Sequence, residues 1–264
     1  MKSYLNSSVG HSAFLRNDYI TSMTTTPKIH RPTATTLLAL AALAVIAGGC
    51  GKTAERKDAD TVQTAAVAPN VISGTFTDSR DGQVYRTVVI GTQTWMAENL
   101  NYKTGASVCY DNADSNCTKY GRLYDWDDAM TACPAPWRLP SDEDWDSLAL
   151  AAGGQRENDY NWEVAGNKLK STTGWACVGL DYGGKLVFGN GTDEFGFSAL
   201  PGGWRGVGKF GNAGDYGYWW SATEYDATYA SYRSMNGYFS LVRRFHAFKR
   251  YLYSVRCVQD LGSV

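Results

Sequence analysis

Hydrophobic and polar positions change rhythm along the chain, and each change marks a different element. Residues 35–49, TTLLALAALAVIAGG, form one short apolar run of about 12 residues, too short to cross a bilayer core as a helix. Residues 51–70 are polar and alanine-rich without a usable period, which predicts a tether. Alternation begins after residue 71. Asp81-Gly82 is a hairpin turn signal, and Val84, Val88 and Ile90 lie in a β-branched run. Gly91-Thr92 turns the chain again, and Thr94-Trp95-Met96 opens a third strand, so the pattern predicts an antiparallel meander.

A helical period follows. Leu123, Trp126, Ala129, Met130 and Cys133 share one face, and Pro134 ends that helix. In SDEDWDSLALAAGG, Ser141 is an N-cap with Asp144 three residues on. Asp142, Glu143 and Asp144 fall in the first turn, where the helix dipole favours negative charge. Trp145, Leu148 and Ala149 make the buried stripe, and Gly153 is the expected C-terminal stop. NWEVAGNKLKST reads as a third, weaker helix. From Gly174 the chain becomes glycine-punctuated aromatics, and Tyr251, Tyr253, Val255 and Cys257 alternate as a last strand with one buried face. Strands, two main helices, then long loops and strands give an α+β fold.

The N-terminal run gains meaning from its flanks. Lys28 and Arg31 precede it, and Ala47, Gly48 and Gly49 follow, the layout of an export signal over residues 1–49. Ala-Gly-Gly-Cys resembles a bacterial lipobox, which makes Cys50 the lipidated residue and residues 50–70 the lipidated cysteine with its flexible tether. Met23 is an alternative start with a more usual signal length. The expected partner is therefore a membrane, through the lipid, at the outer membrane or cell surface. The first 70 residues carry seven basic and four acidic side chains, which leaves residues 71–264 near −4. A mildly acidic domain argues against nucleic acid as a partner.

An exported chain meets an oxidising compartment, so cysteines are expected to pair. Cys109 and Cys117 flank YDNADSN, a turn-rich segment able to bring its ends together, and we pair them. Cys133, in CPAPWRLPSDEDW, is open at this point to three readings: reactive thiol, metal ligand or covalent staple. The acids after it are explained by the helix start. Cys177 is left odd, and is expected to be a buried thiol.

Chemistry is sparse beyond residue 70. His246 is the single histidine there, and no Cys-x-x-Cys or Glu-x-x-His occurs. No metal centre, cofactor or catalytic residue is expected. Asp111, Asn112, Asp114 and Asn116 offer calcium-compatible oxygens without a full EF-hand loop, a weak candidate resting on Asp111 and Asp114. Glu224 with Asp226, and Asp193 with Glu194, are the visible carboxylate pairs for glycoside hydrolysis. Aromatics are the better candidates. Trp204, Arg205, Tyr216, Tyr218, Trp219 and Trp220 lie among glycines in the long-loop region, where flat rings can stack on sugars or anchor a protein. Trp219 and Trp220 point to opposite sides of an extended chain, so at most one can be buried against any one face.

The segments VVIGTQTWMAENLNY, KYGRLYDWDDAM, CPAPWRLPSDEDW, YWWSATE and YSVRCV, in that order, resemble the Fibrobacter succinogenes major paralogous domain family over roughly residues 74–260. The same elements are similar to the wider C-type-lectin-like fold, which includes sulfatase-modifying proteins. That resemblance implies a C-type-lectin-like domain over residues 71–264, with Cys133 stapled to Cys257. The calcium-site signatures of sugar-binding C-type lectins, Glu-Pro-Asn, Gln-Pro-Asp and Trp-Asn-Asp, are missing, and late in the chain only Cys257 matches the paired active-site cysteines of the sulfatase-modifying enzymes. The expected function is a surface-exposed lipoprotein carrying a non-catalytic binding or adhesion module for polysaccharide or protein. An enzyme of sulfatase-modifying or glycosidase type and a purely structural envelope lipoprotein are the alternatives.

Overall fold

The computed structural model describes residues 71–180 and 186–260. The expected export signal, Cys50 and the tether lie outside the described residues, as does the side chain of Cys177.

The domain opens with β1 (Ser73–Thr77), β2 (Val84–Ile90) and β3 (Gln93–Met96). Next come α1 (Asp114–Tyr120), β4 (Leu123–Tyr124), α2 (Trp126–Ala132) and α3 (Asp142–Ala151). A short mixed region holds β5 (Gln155–Arg156), β6 (Asn161–Glu163), α4 (Ala165–Leu169), β7 (Cys177–Leu180) and β8 (Leu186–Phe188). The aromatic-rich part supplies β9 (Trp204–Arg205), β10 (Phe210–Gly211), β11 (Tyr216–Glu224), β12 (Tyr229–Asn236) and β13 (Val242–Phe248). β14 (Tyr253–Ser254) and β15 (Val258–Asp260) close it.

The meander forms as the alternation predicts, β1 against β2 against β3, and β15 returns to pair antiparallel with β3. A second sheet has seven strands in the order β4-β14-β11-β12-β13-β6-β5. Its pairs are antiparallel apart from the single parallel contact of Trp219 with Ser254. The fold is thus α+β, dominated by antiparallel sheet, with four α-helices among the described residues.

Several local expectations change. The predicted helix over Leu123–Cys133 starts later, because the Asp125 carboxylate accepts the Asp128 N–H and caps α2 there. Leu123 and Tyr124 are released to pair with β14, and Met130 faces outward. α3 keeps its expected start, with Ser141 and Asp144 forming a reciprocal capping box. NWEVAGNKLKST divides into β6 and the one-turn α4. The last segment is not one strand with one buried face. Tyr253 through Val258 cross from the second sheet to the first, and each of them is buried.

The second sheet separates two cores. On one side Trp219, Met235 and Val242 pack with Trp95, Trp145, Leu148 and Phe197. On the other, Trp220, Ala230, Ala247 and Tyr253 pack with Tyr124, Trp126, Ala129 and Trp137. Consecutive residues of an extended strand point to opposite faces, so Trp219 and Trp220 each fill a different core.

Three distant segments meet at Asn99. Its side-chain oxygen accepts from Trp219 Nε1 at 2.8 Å and from Arg256 Nε and Nη2 at 3.0 and 2.8 Å. Its amide donates to Tyr120 O and Ser254 Oγ. Arg256 is 0 % exposed and stands over the Phe197 ring at 4.5 Å, its remaining hydrogen bonds going to the Phe197 and Met96 carbonyls. Burial without a bonded carboxylate pushes its pKa down to about 9. Gly121 (φ 73°) lets the chain pass beside this hub: a Cβ there would meet Leu100 O at 2.8 Å. Asn99, Trp219 and Arg256 come from MAENL, YWWSATE and SVRCV, so these motifs build the frame.

Two disulfides tie the frame. Cys133, the C-cap of α2, is bonded to Cys257, and Cys109 to Cys117. Cys133 is therefore the staple, closing a sequence separation of 124 residues.

Candidate functional site

β11 explains how the candidate face is made. Tyr216, Tyr218 and Trp220 point to one side, Gly217 and Trp219 to the other. Across the ladder Trp220 is paired with Tyr232, and Tyr232 with Phe245, so one row of rings crosses three strands. Tyr251 and Tyr253 arrive from the end of the chain, and Trp204 from β9. Together Trp204, Asn212, Tyr218, Tyr232, Tyr251 and Tyr253 line an open cleft of about 240 Å³.

Trp204 is placed by backbone. Its ring lies so close to Gly206 and Gly211 that a Cβ there would come within 2.4 Å and 2.9 Å of indole atoms. On the cleft side it packs on Tyr251, with ring centroids 5.6 Å apart. Gly206 and Gly211 are therefore needed for close approach to the indole, and GGWRGVGKFG does not form a phosphate loop.

Three of the tyrosines lie near-parallel, and Tyr232 is tilted by 57° to Tyr218 and 53° to Tyr253. Tyr216 and Tyr218 are 8° from parallel at 5.7 Å, and Tyr218 and Tyr253 are 18° from parallel at 5.3 Å. Tyr218 thus stacks against two neighbouring rings. Asn212 Nδ2 donates to the Tyr218 hydroxyl at 2.8 Å. Burial raises the pKa of Tyr218, pushes Tyr232 up to about 12 and lifts Tyr253 further. All three phenols are neutral at physiological pH. Phe245, 41 % exposed, is the open ring at the rim.

Of the sequence candidates, Trp204 and Tyr218 line the cleft, while Tyr216 flanks it against Tyr218 and Tyr238. Arg205 follows Trp204 and places its guanidinium over Phe210 at 5.6 Å. Trp219 and Trp220 are corrected: both are 0 % exposed and belong to the two cores. Their indole N–H groups are used internally, by Asn99 Oδ1 and Tyr124 O. Sequence reasoning missed Asn212, Tyr232, Tyr251 and Tyr253. The i, i+2 spacing of Tyr251 and Tyr253 was visible, but it specified a face without saying which strands would share it.

The remaining candidates serve local structure. Asp114 starts α1, with Asp111 in the left-handed turn before it, and among the described residues no three His, Cys, Asp or Glu side chains gather as a metal site. The calcium reading of Asp111 and Asp114 therefore gains no geometry. Glu224 is ion-paired to Lys249, while Asp226 accepts the Thr228 and Tyr229 N–H groups of a turn. Asp193 accepts from Ser198 N and Oγ, and Glu194 lies 3.5 Å from Lys168 Nζ. His246 stacks on Tyr225 at 4.0 Å, and burial lowers its pKa.

No curated protein and no solved structure matches the chain. The family model described as the Fibrobacter succinogenes major domain matches residues 88–259, a span that holds both disulfides, the Asn99 hub and the aromatic cleft. The chain belongs to the Fibrobacter succinogenes major domain family.

Proposed function

We propose that this domain is a non-catalytic binding module, held at the cell surface through a lipidated Cys50, and that its ligand sits on the aromatic cleft. The observation that carries the proposal is the cleft itself. Trp204, Tyr218, Tyr232, Tyr251 and Tyr253 converge from four separate chain segments on an open surface. Rings and hydroxyls in that arrangement give apolar area together with directional hydrogen bonds. The carboxylate pairs are engaged in ion pairs and turns, so binding accounts for the surface better than hydrolysis does. Strapping of the last chain segment to a helix end by Cys133–Cys257 supports a C-type-lectin-like reading of the fold.

The test is an array of glycans and extracellular proteins probed with the full-length protein and its Trp204→Ala variant. Wild-type binding is expected, with a loss of about thirtyfold in the variant, the size of one aromatic hot spot. An array without any bound ligand, or equal binding by the variant, overturns it. For the anchor, Cys50→Ser is expected to move the protein out of the membrane fraction, and retention there contradicts a lipid on that residue.

A further inference from the structure

Resting on the reading of the cleft as a binding face, we infer that its ligand is an anionic polysaccharide, one carrying carboxylate or sulfate groups along the chain.

Charge is the first observation. Between Asp226 and Asp260 there is no acidic residue, while six Lys and Arg occur. Four of the six are committed inside the domain. Arg233 binds Asp142 and Asp146, Arg244 lies 3.7 Å from Asp142, Lys249 pairs with Glu224, and Arg256 is in the Asn99 hub. Arg243 and Arg250 remain, with Arg205 from β9. Among the described residues none of these three has a carboxylate partner. Each guanidinium instead lies over a ring: Arg205 over Phe210, Arg243 over Phe239 and Arg250 over Phe248. Arg243 also keeps a buried Nε without a hydrogen-bond partner. Between Phe195 and Thr223 the single acid is Asp215. In a domain near −4, the unpaired Arg243 and Arg250 beside one aromatic surface mark a place for negative charge.

Two of them flank the cleft. Tyr218 is paired with Ser234 and Ser234 with Arg243, so Arg243 shares the Tyr218 face two strand spacings away, about 10 Å. Arg250 immediately precedes Tyr251, and its ring partner Phe248 lies 5.6 Å from Tyr251. Arg205, next to Trp204 in β9, points to the opposite face of that strand with its partner Phe210, so it lies behind the cleft wall.

Ring orientation is the second observation, and it is independent of the arginines. An aromatic ring is negative on its face and positive at its edge. Stacking with Tyr216 and Tyr253 takes up part of the Tyr218 ring, while its neutral hydroxyl, which accepts from Asn212, keeps its own hydrogen to donate to the ligand. Phenol donors suit anionic oxygens better than they suit the apolar face of a neutral sugar. The cleft, at about 240 Å³, is smaller than the ~300–1,000 Å³ of sites that enclose a whole small molecule. It fits one unit of a longer chain, whose repeated charges can reach arginines on separate strands and loops.

The experiment compares matched polymers: polygalacturonate against its fully methyl-esterified form, and dextran sulfate against dextran. Full-length wild type, Trp204→Ala and an Arg243→Ala/Arg250→Ala double variant are titrated with each, after thermal melts establish that the variants fold. The expected result is tighter binding to at least one charged member than to its neutral partner, weakening as salt rises. The double variant loses about tenfold on the charged member alone. Trp204→Ala weakens that binding too, which a purely ionic association would not show. Equal binding to charged and neutral members overturns the anionic inference while leaving the cleft as a binding face. Binding only to an acidic protein, or to DNA as tightly as to the polysaccharide, overturns the polysaccharide assignment. No binding to any of these polymers, or to the wider array, overturns both.

Discussion

Asn99→Ala tests whether the shared motifs build a frame. One side-chain oxygen serves Trp219 Nε1 and two guanidinium nitrogens of Arg256, all within buried residues. Removing it strands three donors, while Arg256 keeps only the Phe197 and Met96 carbonyls. Each buried polar group left unsatisfied costs about 1–3 kcal/mol. Tyr120 O and Ser254 Oγ also lose their donor. The expected loss is about 4–6 kcal/mol, a large part of the about 5–15 kcal/mol that holds a native domain. With a urea dependence of about 2 kcal/mol per molar, the unfolding midpoint should fall by about 2–3 M. Tryptophan fluorescence and circular dichroism would follow the transition, and coincident curves would establish that it is two-state. Asn99→Asp is the control: it keeps the oxygen, sets a carboxylate against Arg256, and should cost about 1–2 kcal/mol for the lost amide bonds. A loss under about 1 kcal/mol for Asn99→Ala, or equal losses for the two variants, would refute the hub.

Three further outcomes follow from the same structure. Non-reducing peptide maps should show Cys133–Cys257 and Cys109–Cys117, and Cys133→Ala should cost about 2–5 kcal/mol, with the long closed loop favouring the upper end; a Cys177–Cys257 peptide would contradict the frame. Trp219→Ala and Trp220→Ala should each cost about 3–5 kcal/mol, as fully buried rings do, against about 1 kcal/mol for half-buried Trp204→Ala, and equal losses among the three would contradict their placement. Stability should also depend on alkaline pH with two opposite signs. Burial holds Lys170 down at about 8, so from pH 8 to 10.5 the unfolded chain keeps a proton the folded one has released, and stability rises by about 2–3 kcal/mol. Burial holds Tyr85 up at about 12, so its contribution is intact below pH 10 and is lost, about 2–3 kcal/mol, between pH 10 and 12. Urea midpoints at pH 8, 10 and 12 for wild type, Lys170→Met and Tyr85→Phe check this: the first variant should lose the rise and the second part of the fall.

What could be read from the sequence was local. Turn signals at Asp81-Gly82, and Ser141 with Asp144 at the start of α3, act over three or four residues, and the structure keeps them. α1 was hidden because DSNCTKY buries only Cys117 and Tyr120, too few positions for a period. The end of the first predicted helix held at Cys133, but its start gave way to the Asp125 cap. Trp219 and Trp220 show the harder limit. Alternation placed them on opposite faces, but whether a face meets core or solvent depends on α3, α2 and the first sheet, which come from elsewhere in the chain. For the same reason the cleft was half legible. Trp204 and Tyr218 stood out by composition, whereas Tyr232, Tyr251 and Tyr253 join them only through the β11–β12–β14 arrangement.

The claim that ligand is taken by the aromatic face, with the shared motifs as its frame, is tested most directly by backbone hydrogen exchange on the full-length protein. Exchange is measured alone and with the tightest-binding ligand of the array at saturation. New protection is expected to be confined to residues 204–218, 230–234 and 243–253, with the amides around Asn99 and Arg256 already slow and unchanged. Protection centred elsewhere, such as on residues 109–120 or 155–170, or the absence of any saturating ligand from the array, would contradict it.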